Sequence, residues 1–222
     1  MNALPPPPRR LVIEMVYDLV CPWCYLGLRR LRHSLRRRPE IEVSFLSRAF
    51  LLNPDMPRAG MSRSEYLTRK FGSEDRAARL FASISQIGQS EGLSFRFDRM
   101  QRTPSSVDAH RAVRFAARSG REMETIEALF AAYFTAGVDI GNPAWLAALA
   151  ETIGLDSAAL RVFLASDQEI DAVHADNLRA HRLGINGVPC FILGGRHAIA
   201  GAQEPDVIER LLDVALLEDS AD

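Results

Sequence analysis

Cysteine is scarce in this 222-residue chain: Cys21, Cys24 and Cys190 are the whole set. So few thiols exclude a disulfide-built scaffold, which staples a short secreted chain with several pairs. They also fall short of a structural zinc site, which takes four ligands. Beside Cys21 and Cys24 there is no second cysteine pair, and His33, His110, His174, His181 and His197 form no tightly spaced one. An excess of charge is missing too. Lys and Arg number 27 against 28 Asp and Glu, a formal net charge of −1, which removes any general electrostatic case for nucleic acid or anionic lipid. No apolar run approaches the roughly 20 residues of a membrane-spanning helix. The first ten residues are proline-rich, with Arg9 and Arg10, and lack the apolar stretch and small-residue cleavage site of a secretory signal. They read as a disordered or polyproline-like tail, and the expected compartment is the cytoplasm. Thiols there are kept reduced, so paired cysteines in that compartment are more often catalytic than structural.

What is present centres on Cys21-Pro22-Trp23-Cys24. The run Leu11 to Tyr17 before it reads as a strand, mostly apolar as for a strand covered on both faces. The pattern after it, with Tyr25, Leu28, Leu31 and Leu35 on one stripe, reads as a helix from about Pro22 to Arg38. Two thiols separated by two residues at a strand-to-helix turn are the geometry of a dithiol/disulfide redox pair. The first sulfur sits where orphan N–H groups and the helix dipole favour a thiolate. Proline suits the first helical turn because it has no N–H to lose. Half of a zinc site, or two inert buried thiols, are the competing readings. Arg29, Arg30, Arg32, Arg36, Arg37 and Arg38 read as a solvated face with cations at a helix C-terminus rather than as a nucleic-acid patch.

Farther along, Ile41, Val43 and Phe45 alternate with polar residues as a second strand, completing a right-handed β-α-β unit. From about Ser62 to Leu183 the periodicity is mostly helical. One stripe carries Leu80, Phe81, Ile84 and Ile87, and another carries Ile126, Leu129, Phe130, Tyr133 and Phe134. Asn142-Pro143 opens a helix that Gly154 ends, Asp156 caps a short one, and a longer one runs from Asp167 to about Leu183. Then Val188 to Leu193 is an apolar strand, Gly194-Gly195 a hairpin turn, and His197 to Ala200 its return. Glu204-Pro205 opens a last helix with Val207, Ile208, Leu211, Leu212 and Ala215 inward.

That order, with CxxC at the first helix and Val-Pro before the third strand, resembles the thioredoxin fold, and the helical insertion resembles its DsbA-like branch. The chain is similar to the FrnE-like, DsbA-family oxidoreductases through Asp18 to Gly27, Asp108-Ala109-His110-Arg111, Ala132-Tyr133-Phe134, Gly187-Val188-Pro189 and Ala200-Gly201-Ala202-Gln203. The expected architecture is α/β: a thioredoxin-like domain from residues 11–60 and 185–217, with an inserted all-helical subdomain at 61–184. The resemblance implies thiol–disulfide exchange by Cys21 and Cys24, with a disulfide- or thiol-bearing protein or small molecule as partner. It implies a cis Pro189 against the sulfurs, and Val188 offering backbone groups to the partner. Pro22, Trp23 and His110 join Val188 and Pro189 as candidate partner-binding residues, and Tyr25 as a flank of the exposed sulfur. No metal, nucleic acid or membrane is expected, and no cofactor beyond the sulfur pair, with glutathione as a possible co-substrate. Two alternatives stay open. One is a glutathione-dependent isomerase or transferase of the 2-hydroxychromene-2-carboxylate isomerase or kappa type, which carries serine where Cys21 stands. The other is a CxxC metal-binding module.

The chain departs from the family pattern at two places. Met15 stands where thioredoxins and many DsbA proteins place a buried acid, and Glu14 beside it should face the other side of its strand. Cys190 stands directly after Pro189, where a bulky apolar residue is usual. It reads either as a third redox thiol or as a small buried hydrophobe.

Overall fold

The computed structural model describes residues 9–218; residues 1–8, most of the expected tail, lie outside them, while Arg9 and Arg10 open the first strand. β1 (Arg9–Tyr17) leads to α1 (Pro22–Arg36), which returns to β2 (Ile41–Ala49). β1 and β2 are parallel, in register from Arg9 opposite Ile41 to Tyr17 opposite Ala49. Next come β3 (Met61–Ser62), α2 (Arg63–Phe71), α3 (Glu74–Ser90), β4 (Arg102–Thr103), α4 (Val107–Ala117), α5 (Glu122–Ala131), a π-helical turn Ala132–Ala136, α6 (Pro143–Thr152), α7 (Ser157–Ala165) and α8 (Ile170–Arg182). The chain closes with β5 (Cys190–Leu193), β6 (His197–Ala200) and α9 (Pro205–Glu218). The main sheet runs β2-β1-β5-β6, with β5 antiparallel to both neighbours. Gly194 and Gly195 make the hairpin at φ 58° and 70°, a backbone that side chains other than glycine adopt at a cost.

The pleat of β1 sorts its side chains. Leu11, Ile13, Met15 and Tyr17 point into the main core with Leu26, Leu28 and Leu31 of α1 and Ile208 and Leu212 of α9. The opposite face is only partly covered. Val16 packs with Phe50, Cys190 and Ala180 of α8, whereas Val12 is 43% exposed, so the strand is not sheathed on both faces along its whole length. Glu14 lies on this second face, as alternation requires. Burial alone would raise its carboxyl, but hydrogen bonds from Arg179 (2.6 Å) and Arg48 (3.1 Å) outweigh that and hold it below the usual range.

Several arginines of α1 and of the turn after it are held in ion pairs rather than left as a solvated face. Arg30, buried, reaches Glu91 at 2.6 Å, Glu204 at 2.8 Å and the Ala202 carbonyl at 2.7 Å. Arg37 meets Glu209 and Arg38 meets Asp213, both on α9. These pairs tie α1 to the last helix.

The insertion is not all helical. Met61–Ser62 and Arg102–Thr103 form a two-stranded antiparallel ribbon, with Met61 opposite Thr103. Strands of two residues leave no periodic trace in a sequence. Leu80 is exposed rather than on the inner stripe of α3, where Ala77, Ile84 and Gly88 are buried, and Val207 is at the surface of α9. α8 starts at Ile170, later than Asp167, because Glu169 takes a left-handed backbone (φ 65°) while its carboxylate binds Arg114 (2.7 Å) and Arg118 (2.9 Å). Local capping holds as expected elsewhere: Asn142 Oδ1 accepts the N–H of Ala144, and Asp156 Oδ1 that of Ala159.

Candidate active site

Between β1 and α1 the backbone turns in four residues, and Asp18 shapes the turn. Its carbonyl accepts the Cys21 N–H at 3.0 Å. Its carboxylate accepts the N–H of Val20 at 3.2 Å and that of Leu52 at 2.8 Å. Cys21 is thereby held as the N-cap of α1 in extended conformation, φ −97° and ψ 112°, with Pro22 at the first helical position. The Cys21 carbonyl receives the N–H of Cys24 at 3.0 Å, so the first turn brings Cys24 back over Cys21. Both are free thiols. Cys21 is 4% exposed and Cys24 0%, so the order of exposure is as expected although both lie deep. Burial pushes the Cys24 thiol well above its ordinary value. The nearby Cys21 sulfur adds to this, and a backbone hydrogen bond from Asp18 acts in the other direction.

Across from the pair comes the chain entering β5. The Val188–Pro189 peptide is cis, and the Cys21 Sγ donates to the Val188 carbonyl at 3.6 Å. The Pro189 ring lies on α1 at Gly27, where a Cβ would come within 2.9 Å of its Cγ and 3.3 Å of the Phe191 ring. Glycine at 27 is what lets this proline close on the first turns of the helix. Gly27→Ala is expected to push Pro189 outward, cost about 1–3 kcal/mol of stability and slow exchange at Cys21. Thermal unfolding and thiol kinetics on the variant check both.

Pro22 and Trp23 are half-buried on the outer turn, with Trp23 packed at the edge of the core. Two other expected residues lie inward. Tyr25 is buried and stacks on Phe130, centroids 5.2 Å apart at 16°, so it is core, not a flank of the sulfur. His110 is 2% exposed and lines no surface groove: its Nε2 lies 3.7 Å from Asp18 Oδ1 and its ring meets Tyr17 edge-on at 5.1 Å. The rest of the Asp108-Ala109-His110-Arg111 segment is structural. Arg111, fully buried, binds Asp108 (2.6 Å) and the carbonyls of Phe163, Leu164, Ser166 and Gln168 at the end of α7.

Cys190 stands behind the sheet. In β5, Phe191 and Leu193 share the core of Cys21 and Cys24, while Cys190 packs with Val16, Phe50 and Ala180. Strand alternation turns its side chain away from the pair, and thiols whose Cβ vectors diverge cannot be bridged without moving backbone. Its place is that of a small hydrophobe. Among the described residues, no group of three or more His, Cys, Asp or Glu stands together that could hold a metal ion.

The residue that sequence reasoning passed over is Asp18. Its one local sign is an acid between an apolar strand and the cysteine turn. Its distant partners, Leu52 and His110, leave no mark in spacing.

A thioredoxin-type sheet, a CxxC at the start of α1 and a cis proline facing it are now joined by a match of residues 12–213 to the model of the DSBA-like thioredoxin domain. The chain belongs to the DsbA-like thioredoxin family. The probable DsbA oxidoreductase of Streptomyces coelicolor superposes with a TM-score of 0.83 at 30% identity, covering 92% of this chain and 89% of that one. The uncharacterized protein YwbO of Bacillus subtilis is 25% identical over 201 residues, 90% of this chain and 94% of YwbO. The cytosolic disulfide reductase DsbM of Pseudomonas aeruginosa, solved with GSH, shares the fold at a TM-score of 0.63 and 23% identity, over 92% of this chain and 98% of its own. The DsbA-like chain thus has the fold of thiol oxidoreductases. No helix among its described residues is long and apolar enough to cross a membrane.

Proposed function

We propose that this protein exchanges disulfides with thiol- or disulfide-bearing partners through Cys21 and Cys24. The observation that carries the reading is the seat of Cys21: the N-cap of α1, with its sulfur on the Val188 carbonyl and Pro189 closed over the helix. At a helix start, orphan N–H groups favour the thiolate, which is the attacking species. In the reductive direction, the Cys21 thiolate attacks a partner disulfide and one partner thiolate leaves. Cys24, having given up its proton, then attacks the Cys21 sulfur, closing the Cys21–Cys24 bridge and releasing the second partner thiolate. The oxidative direction runs the same steps backward. Pro22, Trp23, Val188 and Pro189 form the surface an extended partner meets, with backbone groups at Val188 offered as in strand addition. The electrons reside on sulfur, so no further cofactor enters, and glutathione is a fitting small co-substrate. The proposed compartment is the cytoplasm.

Equilibration in glutathione buffers of graded poise, with alkylation and mass analysis, tests this. A single reversible bridge between Cys21 and Cys24 is the expected product. A midpoint near about −270 mV marks a reductant and one near about −120 mV an oxidant. Thiols that stay free at every poise, or a bridge that includes Cys190, would overturn the reading.

A further inference from the structure

Pro189 must stay pressed on α1 if Val188 is to keep its carbonyl on the Cys21 sulfur, yet a proline offers a sheet little to hold. It has no N–H, so its carbonyl is the one backbone group that a neighbouring strand can bind. The Gly201 N–H takes that carbonyl at 2.7 Å, carrying the β5–β6 pairing one residue past Cys190 and Ala200. Gly201 does so at φ 85°, a left-handed backbone in which a side chain would be strained. The turn it begins, Ala200-Gly201-Ala202-Gln203, stands out in the sequence and has no part in the exchange chemistry. The Gln203 side-chain amide closes the turn on the Ala200 carbonyl at 2.7 Å. Its anchor to α1 is Arg30, whose Nη1 donates to the Ala202 carbonyl at 2.7 Å. Arg30 is 4% exposed. A buried guanidinium is costly to desolvate even when paired, as here with Glu91 and Glu204, and for stability alone a packed apolar side chain would often serve as well.

Granted the exchange reading above, we infer that Arg30 is a positioning residue that fixes how Val188 and Pro189 meet an extended partner at Cys21. It stands one helical turn after Gly27, on the same face of α1, and Gly27 is where the Pro189 ring rests. The helix therefore holds the proline twice. It meets the ring directly at Gly27, and it reaches the carbonyl through Arg30, Ala202 and Gly201. Cys21 caps this same helix, so the attacking sulfur and the strand that aligns the partner are referred to one rigid element. With the clamp loosened, the sulfur stays at the helix start while the partner's disulfide is presented off line, and a small misplacement of reacting atoms is enough to slow a reaction severely. The clamp matters to a partner that has backbone to align, and little to a small disulfide that brings only its sulfurs.

Two disulfides test this on the reduced protein. One is an extended peptide whose single cysteine is in disulfide with a small thiol, and the other is an aromatic disulfide reagent with no backbone. Acid quenching and mass analysis give the second-order rate at which each oxidises the protein. A wild type oxidised by neither would defeat the exchange reading itself, before the role of Arg30 arises. A wild type oxidised by the reagent alone would overturn the inference, there being no alignment to lose. With both rates in hand, Arg30→Lys keeps a charge beside Glu91 but loses the forked donors. It is expected to react about tenfold more slowly with the peptide, and to change by only a few-fold with the reagent. Equal slowing with both would overturn the inference, since a disturbed helix start alone would do that, and so would an unchanged peptide rate. If Arg30→Lys does not fold, Gln203→Ala loosens the same turn and leaves Arg30 and its partners intact. A loss selective for the peptide supports the clamp, and an equal loss on both disulfides, or none, overturns it.

Discussion

Cys21→Ser protein is expected to lose disulfide exchange by at least about three orders of magnitude, or about 4 kcal/mol of transition-state stabilisation. A hydroxyl at the N-cap keeps the helix start, since serine caps well, yet it is not ionised at neutral pH and cannot form the mixed disulfide. Cys24→Ser separates the steps. Its Cys21 is still seated on the Val188 carbonyl and should attack once, then hold the partner as a stable mixed disulfide visible on a non-reducing gel. A Cys21→Ser protein with undiminished turnover would mean that sulfur at the helix start is not the nucleophile. In that event the glutathione-isomerase alternative, which works with serine there, would gain.

The second large effect concerns stability. Arg111 gives every donor to buried groups, Asp108 and the carbonyls of Phe163, Leu164, Ser166 and Gln168, which otherwise have only Arg58, on Asp108 and Leu164, and Ser166, on Phe163. Those carbonyls close α7 and the turn after it, where the helix's own bonds run out apart from the Ser166 N–H on the Phe163 carbonyl. Arg111→Met fills most of the volume but removes the main buried donor from the carboxylate and the carbonyls. Removing one partner of a buried pair costs about 3–5 kcal/mol, which for a chain of this size lowers Tm by about 6–20 °C. Asp108→Leu added to Arg111→Met should restore part of the loss, because the stranded charge is gone. A Tm within a degree or two of wild type for the single variant would show that the network is dispensable.

Features written locally were legible in the sequence. The CxxC turn, the Asn142 and Asp156 caps, the Gly194-Gly195 hairpin and the buried stripe from Ile126 to Phe134 each depend on neighbours within a few residues. The fold class followed from their order. Features that depend on partners far away in the chain were not legible. Tyr25 follows the motif directly and invites a surface role, but Phe130 and Phe134 come from another segment and draw it inward. His110 reads as a lone helical histidine until β1 delivers Asp18 to it. Arg111 reads as one arginine among many until α7 ends on it. The ribbon of β3 and β4 is too short to show a period, and its pairing spans the whole of α2 and α3.

One consequence follows from where β5 sends its side chains. Because Cys190 points to the rear of the sheet, the exchange proposed above has a single couple of two electrons, with Cys24 as the one partner open to Cys21. A thiol on the same side would open three alternative bridges and let oxidation scatter among them. With a backbone wall between them, oxidation under that proposal has one destination, and the oxidised molecule would present the same reacting sulfur to whatever arrives next.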